Sequence, residues 1–222
     1  MYLLIKFKIK KVLIYIMVLD AKCKKCRANG KKLFLKGDKC FSDKCIMNRR
    51  PFPPGRDKSR KQYRKTLSTY QQQLKNKQEI KLIYGLNEDN LKRFYNKAFL
   101  MSGSTPDNLA KLLEKRIDTV VFYLGIAKSR TDARQLVSHG HFLVNGKRHD
   151  VASAVLNVGS EIQIRPSSMK QESFKKRLEN VREANIPKWI SFDKNKGIAK
   201  IVAEPDISEI GFDFASVVES FS

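Results

Sequence analysis

At 222 residues and 41% hydrophobic content, the chain can build one or two folded domains with a real core, which excludes an unfolded polyelectrolyte. Its formal net charge of +23 points to a polyanionic partner. An anionic membrane surface is the plainer alternative, but no apolar run is long enough to cross a bilayer.

The charge is uneven. Residues 22–66 hold 17 Lys and Arg against 3 Asp, and residues 201–222 hold five acids and no base. One surface facing a polyanion and an opposite patch facing solvent or a protein neighbour would give this pattern. Residues 1–16 mix lysines with Leu, Ile, Phe and Tyr, and the apolar run 12–19 is too short for a span. Asp20-Ala21-Lys22 is a poor signal-peptide cleavage site. The expectation is that Met17 is the natural start and that residues 1–20 form a doubtful, poorly ordered extension.

The first chemical signal is the four cysteines, Cys23, Cys26, Cys40 and Cys45, spaced C-x2-C-x13-C-x4-C. Asn29-Gly30 and Lys36-Gly37-Asp38 are turn signals that let the chain double back. Two close pairs on tight turns can bring four sulfurs to the corners of a tetrahedron, as zinc requires, and an iron–sulfur cluster fits the same ligands. Free thiols or two disulfides are the alternative; disulfides need an oxidising compartment, and a basic chain of this kind suits the cytoplasm. Four protein ligands leave no open position, so a metal here is structural.

A basic strap follows over residues 48–61. Three prolines hold it extended and Gly55 lets it turn. Arg49, Arg50, Arg56, Lys58, Arg60 and Lys61 then project toward phosphate oxygens. Phe52 is read as packing on protein rather than on a base.

From about Ser59 the pattern turns helical, with Leu67, Tyr70, Leu74, Ile80 and Ile83 on one face. Gly85 stops it. Asn87 caps the next helix, which buries Leu91, Phe94, Tyr95, Ala98 and Phe99. Thr105 as cap and Pro106 at the first position start another, with Leu109, Leu112 and Leu113 inside. Residues 116–124 continue helical and end at Gly125, with Asp118 read as an intrachain partner of Arg116 or an RNA-side orienting group. Ser129-Arg130-Thr131-Asp132 has the form of a capping box. Its helix buries Ala133, Leu136 and Val137, puts Arg130 and Arg134 on one exposed face, and ends at Gly140. Lys128 and the free N–H groups near Ser129 make a phosphate site. Asn145-Gly146 marks a hairpin, and residues 161–165 give a further strand. His139, His141 and His149 read as hydrogen-bonding groups to RNA or backbone rather than metal ligands. An amphipathic basic helix over 173–184, a hairpin over 189–202 and a tail whose Val217, Val218 and Phe221 can dock complete the chain.

These elements make an α+β protein. Its expected parts are the extension 1–20, a four-cysteine metal knuckle 21–48, a basic strap and mostly helical domain 49–114, an RNA-binding module 115–178, and a hairpin and tail 179–222 packing back on the helical domain. The module is expected to be two helices on a small, strongly bent antiparallel sheet.

Residues 116–118, 124–130, 133–141 and 144–146 resemble the RNA-binding module of the bacterial small-subunit ribosomal protein S4 family. That module also occurs in RNA pseudouridine synthases and some tRNA synthetases. The flanks at 49–55, 70–74, 79–85 and 189–190 resemble the ribosomal protein itself, and the four-cysteine element resembles its zinc-knuckle subtype. The similarity covers about residues 21–222. It implies a primary binder of 16S rRNA at a multi-helix junction that nucleates assembly. Family members neighbour other small-subunit proteins, act near the mRNA entry site and in translational accuracy, and work as monomers in the cytoplasmic ribosome, without membrane contact. It extends the RNA-contacting candidates to Arg116, Lys128, Ser129, Arg130, Arg134, Gln135, His139, His141, Asn145, Lys147 and Arg148. Tyr123 stands where members often carry Arg, which removes one phosphate contact, and Ala152-Ser153-Ala154 replaces a frequent Pro-Ser. An RNA-modifying enzyme or a translational regulator using the same anchor is the alternative, but no catalytic constellation accompanies the module.

Overall fold

The computed structural model describes residues 21–55, 67–181 and 186–221. The chain forms two compact units, Met1–Lys65 and Thr66–Ser222.

In the first unit, α1 (Lys22–Asn29) ends at Gly30, whose φ of 75° turns the chain and whose N–H bonds to the Cys26 carbonyl at 2.9 Å. Two single-turn helices, α2 (Asp38–Phe41) and α3 (Ile46–Arg49), follow. Cys26, Leu33, Cys40 and Cys45 are buried between them. Arg27 fastens the strap: its Nε donates to the Phe52 carbonyl at 2.8 Å, and its guanidinium lies 5.3 Å from the Phe52 ring centre. Phe52 thus packs on protein, as its sequence context suggested. The strap residues Arg56, Lys58, Arg60 and Lys61, and the helical onset expected at Ser59, lie outside the described residues.

The second unit opens with α4 (Thr69–Ile83), started by a reciprocal capping box between Ser68 and Gln71. Its buried stripe is shorter than the periodicity promised. Ile80 and Ile83 are inside, but Leu67, Tyr70 and Leu74 are exposed. On another face of α4, Gln73 and Asn76 meet α11 (Phe214–Glu219) and its cap through Gln73–Glu219, Asn76–Asp213 and Asn76–Ser216 hydrogen bonds, while Phe214 and Val217 of that helix are buried. Asn87 caps α5 (Glu88–Phe99), accepting from the Asn90 N–H at 2.8 Å. Leu91, Phe94 and Ala98 are buried there, whereas Phe99 is exposed. Ser104, not Thr105, occupies the cap of α6 (Thr105–Glu114). Asn108 turns back from α6 and donates to the Ala98, Met101 and Ser102 carbonyls at the end of α5.

The core of this unit lies under α7 (Ile117–Tyr123) and α8 (Arg130–Ser138). The first N–H groups of α7 are satisfied by a loop: Ile117 bonds to the Ala154 carbonyl at 3.0 Å and Asp118 to that of Ala152 at 3.3 Å. The Ala152-Ser153-Ala154 turn therefore does its work through backbone carbonyls. Strands β1 (Phe142–Val144), β2 (Lys147–His149), β3 (Glu161–Ile164), β4 (Ile190–Asp193) and β5 (Ile198–Ile201) form one antiparallel sheet in the order β2-β1-β3-β5-β4. Between β3 and β4 come α9 (Pro166–Met169) and α10 (Glu172–Glu179). The turn at Asn145-Gly146 takes φ of 48° and 77°, the left-handed pair that a two-residue hairpin needs.

The C-terminal hairpin corrects the expected layout. β5 pairs with β3 through Glu161↔Lys200, Ile162↔Ala199 and Gln163↔Ile198, so the hairpin completes the module's own sheet. Only the segment beyond it returns to the helices. There Glu204 pairs with Lys115 at 2.9 Å and Lys111 at 3.5 Å, and Phe221 stacks on Tyr95 with ring centres 4.8 Å apart. The acids at this end are partly spent inside the fold rather than forming one outward patch.

Candidate nucleic-acid interface

Helix α8 and the β1–β2 hairpin stand side by side because Gly140 ends the helix in the left-handed region, with φ of 72°, and Phe142 is then buried as the first strand residue. Along this edge Lys128, Gln135, His139, Asn145, Lys147 and Arg148 are exposed. Arg148 is held close: a Cβ added at Gly140 would meet its Nε at 2.6 Å and its Nη2 at 2.8 Å. A guanidinium against the end of a helix faces the carbonyls that lack partners there, so its charge is favourably placed. Asn145 is committed to the turn, accepting from the Glu161 N–H at 2.9 Å. His141 Nδ1 meets Ser168 Oγ at 2.9 Å and its ring lies 4.9 Å from Phe174. Burial pushes its pKa down, and the charges of His139, Arg165 and Arg177 push the same way.

Four of the expected contact residues are engaged within the protein, and two of them, Arg116 and Ser129, are buried. Arg116 is 0% exposed; its Nε donates to Asp118 Oδ1 at 3.0 Å and its Nη2 to Oδ2, while the guanidinium lies 5.6 Å from the Phe94 ring. A side chain so enclosed cannot touch RNA, and Asp118 is its intrachain partner. Ser129 is buried, and its Oγ accepts the Asp132 N–H at 3.3 Å. The box is not reciprocal: Asp132 instead takes the Lys128 N–H at 3.0 Å and the Arg177 guanidinium at 2.6 Å. That carboxylate and cation occupy part of the helix N-terminus where a phosphate was expected.

Arg130 and Arg134 do share a face, and it is half-buried. Arg134 Nη1 donates to the Gly85 carbonyl at 2.9 Å, and burial lowers its pKa. The Arg130 guanidinium lies 4.8 Å from the Phe122 ring, 5.0 Å from Tyr84 and 5.5 Å from Tyr123, and donates to the Tyr123 hydroxyl at 3.2 Å. Tyr84 in turn donates to the buried carboxylate of Glu114. Burial, then the Glu114 charge, raises the pKa of both Tyr84 and Tyr123, which keeps them neutral donors and acceptors. The hydroxyl of Tyr123 is thus an internal acceptor for Arg130, and the two arginines join α8 to the helical elements before it.

Arg165 was missed by the sequence reading. It is exposed, and its N–H bonds to the His141 carbonyl at 2.9 Å, which sets it beside the histidines. Only the pairing of β1 with β3 brings those positions together, and no local pattern signals that register.

In the first unit Arg49 and Arg50 are exposed. Cys23, Cys26, Cys40 and Cys45 line a single small pocket, and the Lys36 N–H points at Cys40 Sγ at 3.4 Å. Burial raises the Cys26 pKa, and the neighbouring Cys40, Cys23 and Cys45 add to that rise. Four soft donors around one space, with a backbone N–H directed at a sulfur, fit the chemistry of a thiolate-bound metal. As placed, however, no group of three or more His, Cys, Asp or Glu among the described residues is gathered tightly enough to hold an ion. No helix among them is long and apolar enough to cross a membrane.

Comparison with known proteins covers both units. Residues 18–114 match the family model described as the ribosomal protein S4/S9 N-terminal domain, and residues 115–162 match the S4 domain. Small ribosomal subunit protein uS4A of Clostridium novyi is 45% identical over 192 residues, which is 86% of this chain and 91% of that protein. Small ribosomal subunit protein uS4 of Dehalococcoides mccartyi is 43% identical over 204 residues, or 91% and 97% of the two chains. The uS4 protein of Halothermothrix orenii is 40% identical over 202 residues, or 90% and 96%.

Proposed function

Because the chain belongs to the uS4 family of small-subunit ribosomal proteins, we propose that it is a structural constituent of the small ribosomal subunit that binds its rRNA. Its place is then the cytoplasmic ribosome. The observation that carries the reading beyond the family is the edge made by α8 and the β1–β2 hairpin, where exposed Lys128, Lys147, Arg148 and Arg165 stand on one buried core. Cations fixed on a rigid frame neutralise phosphates with little ordering cost, and the log of affinity falls by ~0.7–0.9 per phosphate for each unit of log salt. Specificity would come from RNA shape and splayed bases rather than from a groove sequence.

The finer reading is that the site is a multi-helix junction of 16S rRNA, bound early so that it nucleates assembly. In it the protein sits as one copy beside neighbouring small-subunit proteins near the mRNA entry side and bears on translational accuracy. The near full-length similarity to uS4 proteins supports it. Zinc at Cys23, Cys26, Cys40 and Cys45 belongs to the same reading; it rests on the shared pocket and the four soft donors, which an iron–sulfur cluster would also suit. The ion would add structural stability to residues 21–48. An RNA-modifying role finds no support in the geometry: the carboxylates Glu114 and Asp118 are enclosed and paired to Tyr84 and Arg116.

Co-sedimentation with small subunits at low salt, followed by crosslinking and sequencing of the bound RNA, tests the proposal. Crosslinks concentrated in small-subunit rRNA are expected. A chain found free of subunits, or crosslinked chiefly to tRNA, would refute it.

A further inference from the structure

Two phenylalanines in the first unit are placed against the usual preference of their side chain. Phe41, the last residue of α2, is 77% exposed, and Phe34 is 44% exposed. Their rings stack with centres 4.9 Å apart and planes 30° from parallel. Phe34 reaches this position from a left-handed backbone with φ of 50°, a conformation that costs free energy for a bulky residue and persists only where the surroundings impose it. Phe34 also lines the cysteine pocket, which gives it a structural share. Phe41 does not line that pocket, and packing gives no reason for its exposure.

The chain around the pair is rich in exposed cations. Lys24, Lys32, Lys36, Lys39 and Lys44 are exposed, and Asp38 and Asp43 are the only acids between positions 22 and 49. An exposed aromatic face carried by a strongly basic stretch matches one ligand chemistry closely: an unpaired nucleotide, whose base offers a π-face and whose phosphate offers the charge. A protein surface would have to supply an aromatic or apolar patch and an acidic rim separately.

We propose that the outward face of the Phe34–Phe41 pair is a stacking platform for an unpaired base of bound RNA, with Lys36, Lys39 and Lys44 gripping the flanking phosphates. It rests on the reading of the chain as an rRNA binder and names a second, separate grip on that RNA.

The test uses the full chain and small-subunit rRNA. Phe41→Leu keeps an apolar side chain but loses the π-face. It should weaken binding about 5- to 100-fold while leaving the salt slope unchanged, since no charge is removed. Phe41→Trp should bind like the parent and show indole emission that RNA quenches beyond the response of Trp189. A Phe41→Leu chain that binds as tightly as the parent, or a Phe41→Trp chain left unquenched while it binds, overturns the platform and leaves the rRNA reading intact. Unchanged RNA affinity with poor incorporation into subunits would mark a protein contact and also overturn it. A parent chain that does not bind rRNA overturns both. Equal thermal melts of parent and Phe41→Trp confirm that folding is not being read.

Discussion

Removing the Asp118 carboxylate tests the inward placement of Arg116 directly. Both side chains are almost fully enclosed, at 0% and 4% exposure, and the guanidinium already has one nitrogen, Nη1, without a partner. Asp118→Ala would leave a buried cation uncompensated, a defect that costs about 3–5 kcal/mol. For a chain of this size each kcal/mol shifts the melting temperature by about 2–4 °C, so the midpoint should fall by roughly 6–20 °C. Urea unfolding followed by the fluorescence of Trp189, the chain's single tryptophan, which packs in the same core, gives the free energy. Replacing both partners, Arg116→Met with Asp118→Leu, should recover most of the loss, because apolar groups of similar volume carry no desolvation penalty. The double variant, measured while folded, should bind rRNA with the parent's salt slope. A loss of less than about 1 kcal/mol in Asp118→Ala would refute the buried pair. A slope reduced by ~0.7–0.9 in the double variant would show that Arg116 does reach a phosphate.

Arg130→Ala removes a cation lying over three rings and the donor to Tyr123; it should cost about 1.5–3 kcal/mol in the same urea assay and leave the salt slope unchanged. Lys147→Ala and Arg148→Ala should do the reverse, lowering the slope by ~0.7–0.9 each with little effect on the melt, as salt titrations of rRNA binding will show. Chelation should increase hydrogen exchange across residues 21–48 but leave Trp189 fluorescence and exchange in residues 67–181 as they were, because all four cysteines lie in the first unit; collapse of the second unit would contradict this. His141 has a folded-state pKa below its ordinary 6.5, so the unfolded chain takes up the proton first as pH falls. Its contribution is therefore complete above about 6.5 and is lost as pH drops from there through the lower folded-state value. His141→Gln should flatten that part of the stability profile.

The cap at Asn87, the stop at Gly85 and the left-handed hairpin turn at Asn145-Gly146 were legible because each is a local demand of the backbone met by one or two residue types. What one strand of text does not carry is the partner across the fold. Leu67, Tyr70 and Leu74 keep the helical period and still face solvent, because the neighbouring helix meets α4 on the face of Gln73 and Asn76 and leaves theirs uncovered. The hairpin at β4 and β5 was visible, but its pairing with β3 was not, since nothing local distinguishes a free hairpin from one that extends a sheet.

The arginines show the same limit at the functional site, where it matters more. Helical spacing correctly puts Arg130 and Arg134 on one face, and the guess that this face meets RNA follows from charge alone. The fold supplies Tyr84, Phe122, Tyr123 and the Gly85 carbonyl to meet them, so their charge holds the RNA-binding module to the helices before it. A basic count therefore overstates the phosphate contacts a protein can make, because some cations act as internal struts. Here Arg116, Arg130, Arg134 and Arg177 are all engaged inside the second unit. On the proposed reading, the binding charge includes Lys128, Lys147, Arg148 and Arg165, which are exposed beside the hairpin and helix ends. If these four carry the phosphate contacts of this unit, its salt slope is at most about 3–4, and a markedly steeper slope in the full chain would call for further cations, among them the lysines and arginines of residues 22–66.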